Sequence, residues 1–149
     1  MRFVMERKEG VSPELDALSC NLMGQVFDLL ADGKEVPVLL AVQDPQGHMV
    51  SYQFSDDGIE ACIEGAHTCV QNLKRSKGDK RAGIGVPQRY ALVYEGAVAD
   101  DKGAYQDAIL LEFGEVGYHT YSAYSLYKGR GDAFQWTDPA PAGELDDLL

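Results

Sequence analysis

Residues 90 to 136 read YALVYEGAVADDKGAYQDAILLEFGEVGYHTYSAYSLYKGRGDAFQW, and this stretch decides the fold. Runs rich in Tyr, Val, Leu, Ile and Phe are separated by Asp100-Asp101-Lys102-Gly103, by Gly114-Glu115-Val116-Gly117 and by Lys128-Gly129-Arg130-Gly131-Asp132. β-Branched and aromatic residues suit a pleated surface, and Gly and Asp tolerate the backbone that a tight turn demands. The stretch predicts a meander of three or four antiparallel strands.

The residues before the meander supply helices and a hairpin. Ser12-Pro13-Glu14 is a start signal, because Ser caps free amides, Pro fits the first helical position and an acid suits the positive end of the helix dipole. Apolar residues then recur at Leu15, Leu18, Leu22, Val26, Leu29 and Leu30, one helical face, until Asp32-Gly33 ends the helix. Val36 to Gln43 is almost continuously apolar and reads as a strand buried on both sides, with Pro37 confined to its start. Asp44-Pro45-Gln46-Gly47 has the order of a type I turn, and Met49 to Phe54 alternates as the returning strand. Ser55 or Asp56 can cap a second helix with apolar positions Ile59, Cys62, Ile63, Ala66, Val70 and Leu73 and a basic end at Lys74, Arg75 and Lys77. Residues 78–85 read as a charged loop.

The order is therefore α-β-β-α-β-β-β-β, an α+β fold with two helices packed on one face of a largely antiparallel sheet of five to six strands. Residues 1–136 are expected to form a single α+β domain, and residues 137–149 an acidic, extended or disordered tail. At 149 residues and 45% hydrophobic, the chain has the size of one domain with a substantial core.

Charge and composition exclude several roles. A net charge of -11, with a pI near 4.5, repels phosphate backbones and anionic lipid surfaces, so neither nucleic acid nor membrane is an expected partner. The first ten residues have no apolar signal region, and no apolar run approaches the ~18 residues of a membrane helix, so a cytoplasmic protein is expected. The cysteines, Cys20, Cys62 and Cys69, are odd in number and fall in predicted helices, which predicts reduced thiols.

If the turns close as written, Tyr90, Leu92, Tyr94 and Val98 share a core face with Tyr105, Ile109, Leu111 and Phe113, then Tyr118, Tyr124 and Leu126, then Phe134 and Trp136. The other face carries Ala91, Val93, Glu95 and Ala97 beside Gln106, Ala108, Leu110 and Glu112, beside His119, Tyr121, Ala123, Ser125 and Tyr127. Small side chains alternating with tyrosines make an uncovered patch, and Glu95, Ala108, Leu110, Tyr121, Ala123 and Tyr127 are its expected interface or ligand residues. This register sets Glu112 opposite His119, with Tyr121 and Glu95 close by. A carboxylate beside an imidazole can orient a general base, so Glu112 and His119 are the catalytic candidates, though no nucleophile accompanies them.

Other constellations give weaker signals. Glu60, Glu64, His67 and Gln71 lie together on the flank of the second helix, and Glu64 and His67 form a Glu-x-x-His pattern of the di-iron type, but no second copy exists. No metal and no cofactor are expected. Cys62 and Cys69 stand two turns apart and read as small buried side chains. Lys74 to Arg81 is the basic cluster, able to meet an acidic segment such as Glu144-Leu145-Asp146-Asp147, and it lacks the spacing of a phosphate loop. Arg130-Gly131-Asp132 spells an adhesion tripeptide and is read as ordinary turn residues.

The element order is similar to that of roadblock-type dimerisation domains, and acidic α+β proteins of this size include secretion chaperones. These likenesses of order and composition imply a dimeric binding protein. The expectation is thus a non-enzymatic interaction or scaffold protein, a homodimer using the Ala/Tyr face of the 90–136 meander. The alternative is a small-molecule-binding protein or enzyme with a site around Glu112, His119, Tyr121 and Glu95.

Overall fold

The computed structural model describes residues 6–55 and 58–149. The first helix, α1 (Pro13–Ala31), begins as its sequence dictates: the Ser12 hydroxyl accepts a 3.1 Å hydrogen bond from the Leu15 amide, and Glu14 and Asp16 occupy the first turn. It closes at Gly33, whose φ of 72° lets the Lys34 amide return to the Leu29 carbonyl at 2.8 Å. Leu15, Leu18, Leu22, Met23, Val26 and Leu30 form its buried stripe.

A hairpin follows, β1 (Val38–Gln43) and β2 (Met49–Phe54), joined by a turn built on Asp44. The Asp44 side chain is fully buried and accepts from the amides of Gln46, His48 and Gly85 and meets the His48 ring at 3.0 Å. One carboxylate thereby fastens the hairpin turn to the loop before the meander. The second helix, α2 (Ile59–Arg75), starts at Gly58 without a side-chain cap, so Ser55 does not serve; Asp56 lies outside the described residues. Its buried residues are Cys62, Ala66, Val70 and Leu73, and no helix among the described residues is long and apolar enough to cross a membrane.

The meander comprises β3 (Arg89–Ala99), β4 (Tyr105–Glu115) and β5 (Thr120–Lys128), followed by a 3₁₀ turn (Gly131–Ala133) and the short β6 (Gln135–Trp136). A further strand, β7 (Ala140–Leu145), forms within residues 137–149. The sheet is antiparallel, in the order β2-β1-β3-β4-β5-β6, and β7 pairs with the first half of β5 on the edge that β6 occupies at its end. Beyond β7, Leu149 is buried, Arg7 pairs with Asp147 at 3.0 Å, and the Thr120 amide and hydroxyl both donate to Asp147. Arg7, rather than the basic loop, takes the acid of this segment; Lys74 reaches only the Leu148 carbonyl, at 3.5 Å.

Class, antiparallel sheet and element order agree with the sequence expectation, and the strand count rises to seven. The placing of both helices on one face does not hold. Leu39 and Ala41 of β1 join Ala91, Val93, Ile109 and Leu111 under α1, whereas Val38, Leu40 and Val42 join Tyr90 and Leu92 under α2. The two helices therefore sandwich the sheet from opposite sides. A strand apolar on both faces needs a cover on each, and a single helical layer cannot supply two.

The register differs as well. Between β3 and β4 the connection holds five residues, with Ala99 opposite Tyr105 and the Asp100 carboxylate accepting from the Lys102 and Ala104 amides at 2.9 Å each. The expected four-residue turn slips the pairing by one, which turns β4 over relative to β3. In the structure Leu92 faces Glu112 and Tyr94 faces Leu110, while Ala91 faces Phe113 and Val93 faces Leu111. Across the next turn Glu112 faces Ser122, not His119. His119 precedes β5 and is drawn away by Lys8, whose carbonyl accepts its amide at 3.0 Å.

Candidate functional site

The corrected register breaks up the expected site and keeps only His119 and Tyr121 together. Glu95 lies on the α1 side, where its carboxylate accepts from the Tyr127 hydroxyl at 3.1 Å and from the Arg130 guanidinium at 2.7 Å. Burial, and then the Glu95 charge, push the Tyr127 phenol up to about 12. Arg130 also donates to the Lys34 carbonyl, so the Arg130-Gly131-Asp132 turn is tied to the chain between α1 and β1. Tyr121 lies on the α1 side too, 6.2 Å from the Phe113 ring, with its hydroxyl accepting from the Gly10 amide. His119 sits with its Nδ1 3.6 Å from Glu144 and its ring edge-on to Tyr121.

Glu112 faces the other way, toward α2, and is buried at 6% exposure. It accepts a 2.6 Å hydrogen bond from the Tyr90 hydroxyl, and the His67 Nε2 lies 2.9 Å and 3.0 Å from its two oxygens. The imidazole partner of Glu112 is thus on the second helix and not on the neighbouring strand. α2 delivers it because His67 follows Ala66 and precedes Val70, at the edge of the stripe that packs on the sheet. The hydrogen bond to Glu112 raises the His67 pKa above its ordinary value, against a smaller opposing effect of burial, and the Glu112 charge adds to the rise. Burial and then the same carboxylate push the Tyr90 phenol far above its usual range.

Chemically this is a satisfied trio: Tyr90 donates, His67 donates from Nε2, and Glu112 accepts from both. Glu112 orients the ring as an orienting acid does for a general base. Among the described residues, however, His67 makes no hydrogen bond to a nucleophile, and no group of three or more His, Cys, Asp and Glu side chains is placed to hold a metal ion. Glu64, the partner that the Glu-x-x-His spacing offered, is exposed and lies apart from this contact. Both Glu112 and His67 stood out in the sequence, but nothing local pairs residues 45 positions apart.

The expected interface residues divide in the same way. Tyr127 is buried under α1, Ala123 is half-buried on the same side opposite Leu111, and Ala108 and Leu110 point to the α2 side. α2 covers β1, β2 and the start of β3, while α1 covers β1, β3 and β4. Half of the α2 side is therefore left without a helix. There Tyr94, Leu110 and Tyr124 form one cross-strand row and Gly96, Ala108 and Leu126 the next, with the Leu110 side chain lying over Gly96. Ala108 is fully buried, and Tyr94, Val98, Leu110, Tyr124 and Leu126 are half-buried.

Comparison with protein-family models, with curated proteins and with solved structures returns no match. The class that the fold defines is a three-layer α+β protein in which an antiparallel sheet lies between single helices, with part of one sheet face uncovered.

Proposed function

We propose that this chain is a non-enzymatic interaction protein that pairs with a second copy through the helix-free half of the α2 side. The observation that carries the reading is the row of Tyr94, Leu110 and Tyr124 with Val98 and Leu126 beside it, apolar side chains on the regular backbone of the three central strands. A sheet centre is normally covered, and an apolar patch left on it is removed from water by association. The patch carries aromatic and aliphatic anchors and no charged side chain at its centre, the composition of an interface core. Small and aromatic residues remain the expected surface, as in the sequence reading, but on the face that the true register assigns to Leu110.

Each copy brings a charge of -11, so the two repel, and association strengthens as salt screens them. Light scattering on a sizing column tests the proposal. The wild type should elute at twice the 16.3 kDa of one chain, and more completely in higher salt. Leu110→Arg and Tyr124→Glu should each return the mass to one chain while circular dichroism stays unchanged. A wild type that remains at 16.3 kDa at every protein and salt concentration refutes the pairing.

A further inference from the structure

Residues 140–149 are held to the rest of the molecule in the way a bound peptide is held. Among the described residues β7 pairs with β5 alone, from Thr120 opposite Leu145 to Tyr124 opposite Ala140, and the ladder is irregular where Gly143 and Pro141 stand. Residues 141–147 are all exposed, so the side chains of this strand bury almost nothing. A strand built into a sheet is secured by the side chains it packs; this one is secured by its backbone and by residues 147–149.

Those three residues meet a site that the rest of the chain prepares. Arg7 donates from Nη1 to the Tyr118 carbonyl at 2.9 Å, which fixes its guanidinium on the turn before β5, and it offers Nε to Asp147 at 3.0 Å and Nη2 to the Leu149 carbonyl at 2.6 Å. The Thr120 amide and hydroxyl converge on one Asp147 oxygen at 3.1 Å and 2.8 Å, and Thr120 is 1% exposed. Leu149 enters the buried cluster under α2 with Val70, Leu73 and Tyr90, and Leu148 packs at its border. Arg7 and Lys74 are thus cations gathered beside an acidic segment, in a chain of net charge -11. Thr137 is tied separately to β5, through the Leu126 amide and carbonyl and the Ser125 hydroxyl, and only the exposed Asp138 and Pro139 join it to the segment. The segment can leave without loosening β6.

We propose that the edge of β5 and the pocket of Leu149 form a peptide-binding groove, which residues 140–149 occupy as a built-in competitor, and that the groove takes in trans an extended peptide with an aspartate two positions before a leucine. Pairing with β5 accepts any extended backbone, so selectivity rests on the carboxylate between Arg7 and Thr120 and on the leucine under α2. An emptied groove leaves the Thr120 and Arg7 donors without their acceptors and an apolar pocket open to water, and a peptide with the same two anchors repairs both losses. The proposal does not rest on pairing through the Leu110 face, and either can fail alone.

Fluorescence anisotropy of a fluorescein-labelled peptide with the sequence of residues 137–149 tests the groove on the full chain. Leu149→Asp removes the apolar anchor of the resident segment, so this variant should bind the peptide saturably and about tenfold or more tighter than wild type, where the segment competes. Peptides carrying Asp147→Ala or Leu149→Asp should bind about tenfold or more weaker, the loss of a charge-assisted hydrogen bond or of a buried leucine. Adding Arg7→Gln to the chain should weaken the unaltered peptide more than the Asp147→Ala peptide. If circular dichroism shows Leu149→Asp unfolded, Asp147→Ala in the full chain releases the segment in its place. Hydrogen exchange reads the release in the wild type: the Thr120 amide should exchange about tenfold or more faster than the Val93 and Leu111 amides of the central strands. No saturable binding to either released chain overturns the proposal. So does a scrambled peptide that binds equally, or a Thr120 amide as protected as the central strands.

Discussion

Replacing His67 by Ala tests the trio beneath α2 most directly. Glu112 would lose the donor that spans both its oxygens and keep only the Tyr90 hydroxyl, at 6% exposure. A hydrogen bond to a charged group contributes about 1.5–3 kcal/mol, and breaking a dry ion pair costs about 3–5 kcal/mol. The His67 side chain is 34% exposed, so water can reach the vacated space and the lower end applies, about 1.5–2 kcal/mol. For a chain of this length that corresponds to a fall in Tm of roughly 3–8 °C. The loss should also depend on pH. The folded pKa of His67 is raised, so its contribution is fully present below the unfolded value of ~6.5 and fades as pH rises through the folded one. Urea unfolding of wild type and His67→Ala at matched protein concentration should therefore differ most near about pH 6 and least near about pH 9. A difference within ~0.5 kcal/mol at both pH values, no larger than an ordinary surface substitution, means that the trio does not stabilise the fold.

Two further substitutions probe the contacts that set the register and the turn. A Cβ at Gly114 would lie 2.8 Å from the Thr120 hydroxyl oxygen and 2.9 Å from a Tyr90 ring carbon, so Gly114→Ala should cost about 1–3 kcal/mol in chemical unfolding. A neutral effect would mean that β4 and β5 sit further apart than described. At Asp44, burial opposes ionisation, but hydrogen bonds from the Gly85 amide, the His48 ring and the His48 and Gln46 amides outweigh it and hold the carboxyl below its usual value. Its contribution is then present above the unfolded value of ~3.8 and is lost as pH falls through the folded one. Asp44→Ala should shrink the acid-induced loss of stability and speed hydrogen exchange at the Gln46, His48 and Gly85 amides; unchanged exchange at Gly85 would refute the link between hairpin and loop.

The elements of this fold are legible locally. Leu15 to Leu30 repeats with helical period, Ser12-Pro13 and Gly33 punctuate it, and Asp44-Pro45-Gln46-Gly47 closes a hairpin, all through interactions within a few residues of each other. The β7 strand was less visible because Ala140–Leu145 carries Pro141 and Gly143 and no alternating apolar pattern, and its partner β5 lies well before it in the chain. The double-sided burial of residues 36–43 is legible in the sequence, but the expected placing of both helices on one face left one side of that strand bare, and the structure covers it with a helix on each side.

What the sequence determined by itself is therefore the class, the element order and the chemical character of each strand, because periodicity and turn chemistry act at short range. Only the tertiary structure decided which strand faces meet. One added residue in the Asp100 turn turns β4 over and puts Glu112 on the α2 side beneath His67, and the pairing of Glu112 with Ser122 across the next turn takes it away from His119. Register is settled by which pairing buries the most apolar surface under α1 and α2 together, a sum over distant residues that no local pattern contains. The free face with Leu110 and Tyr124 is what that sum leaves uncovered.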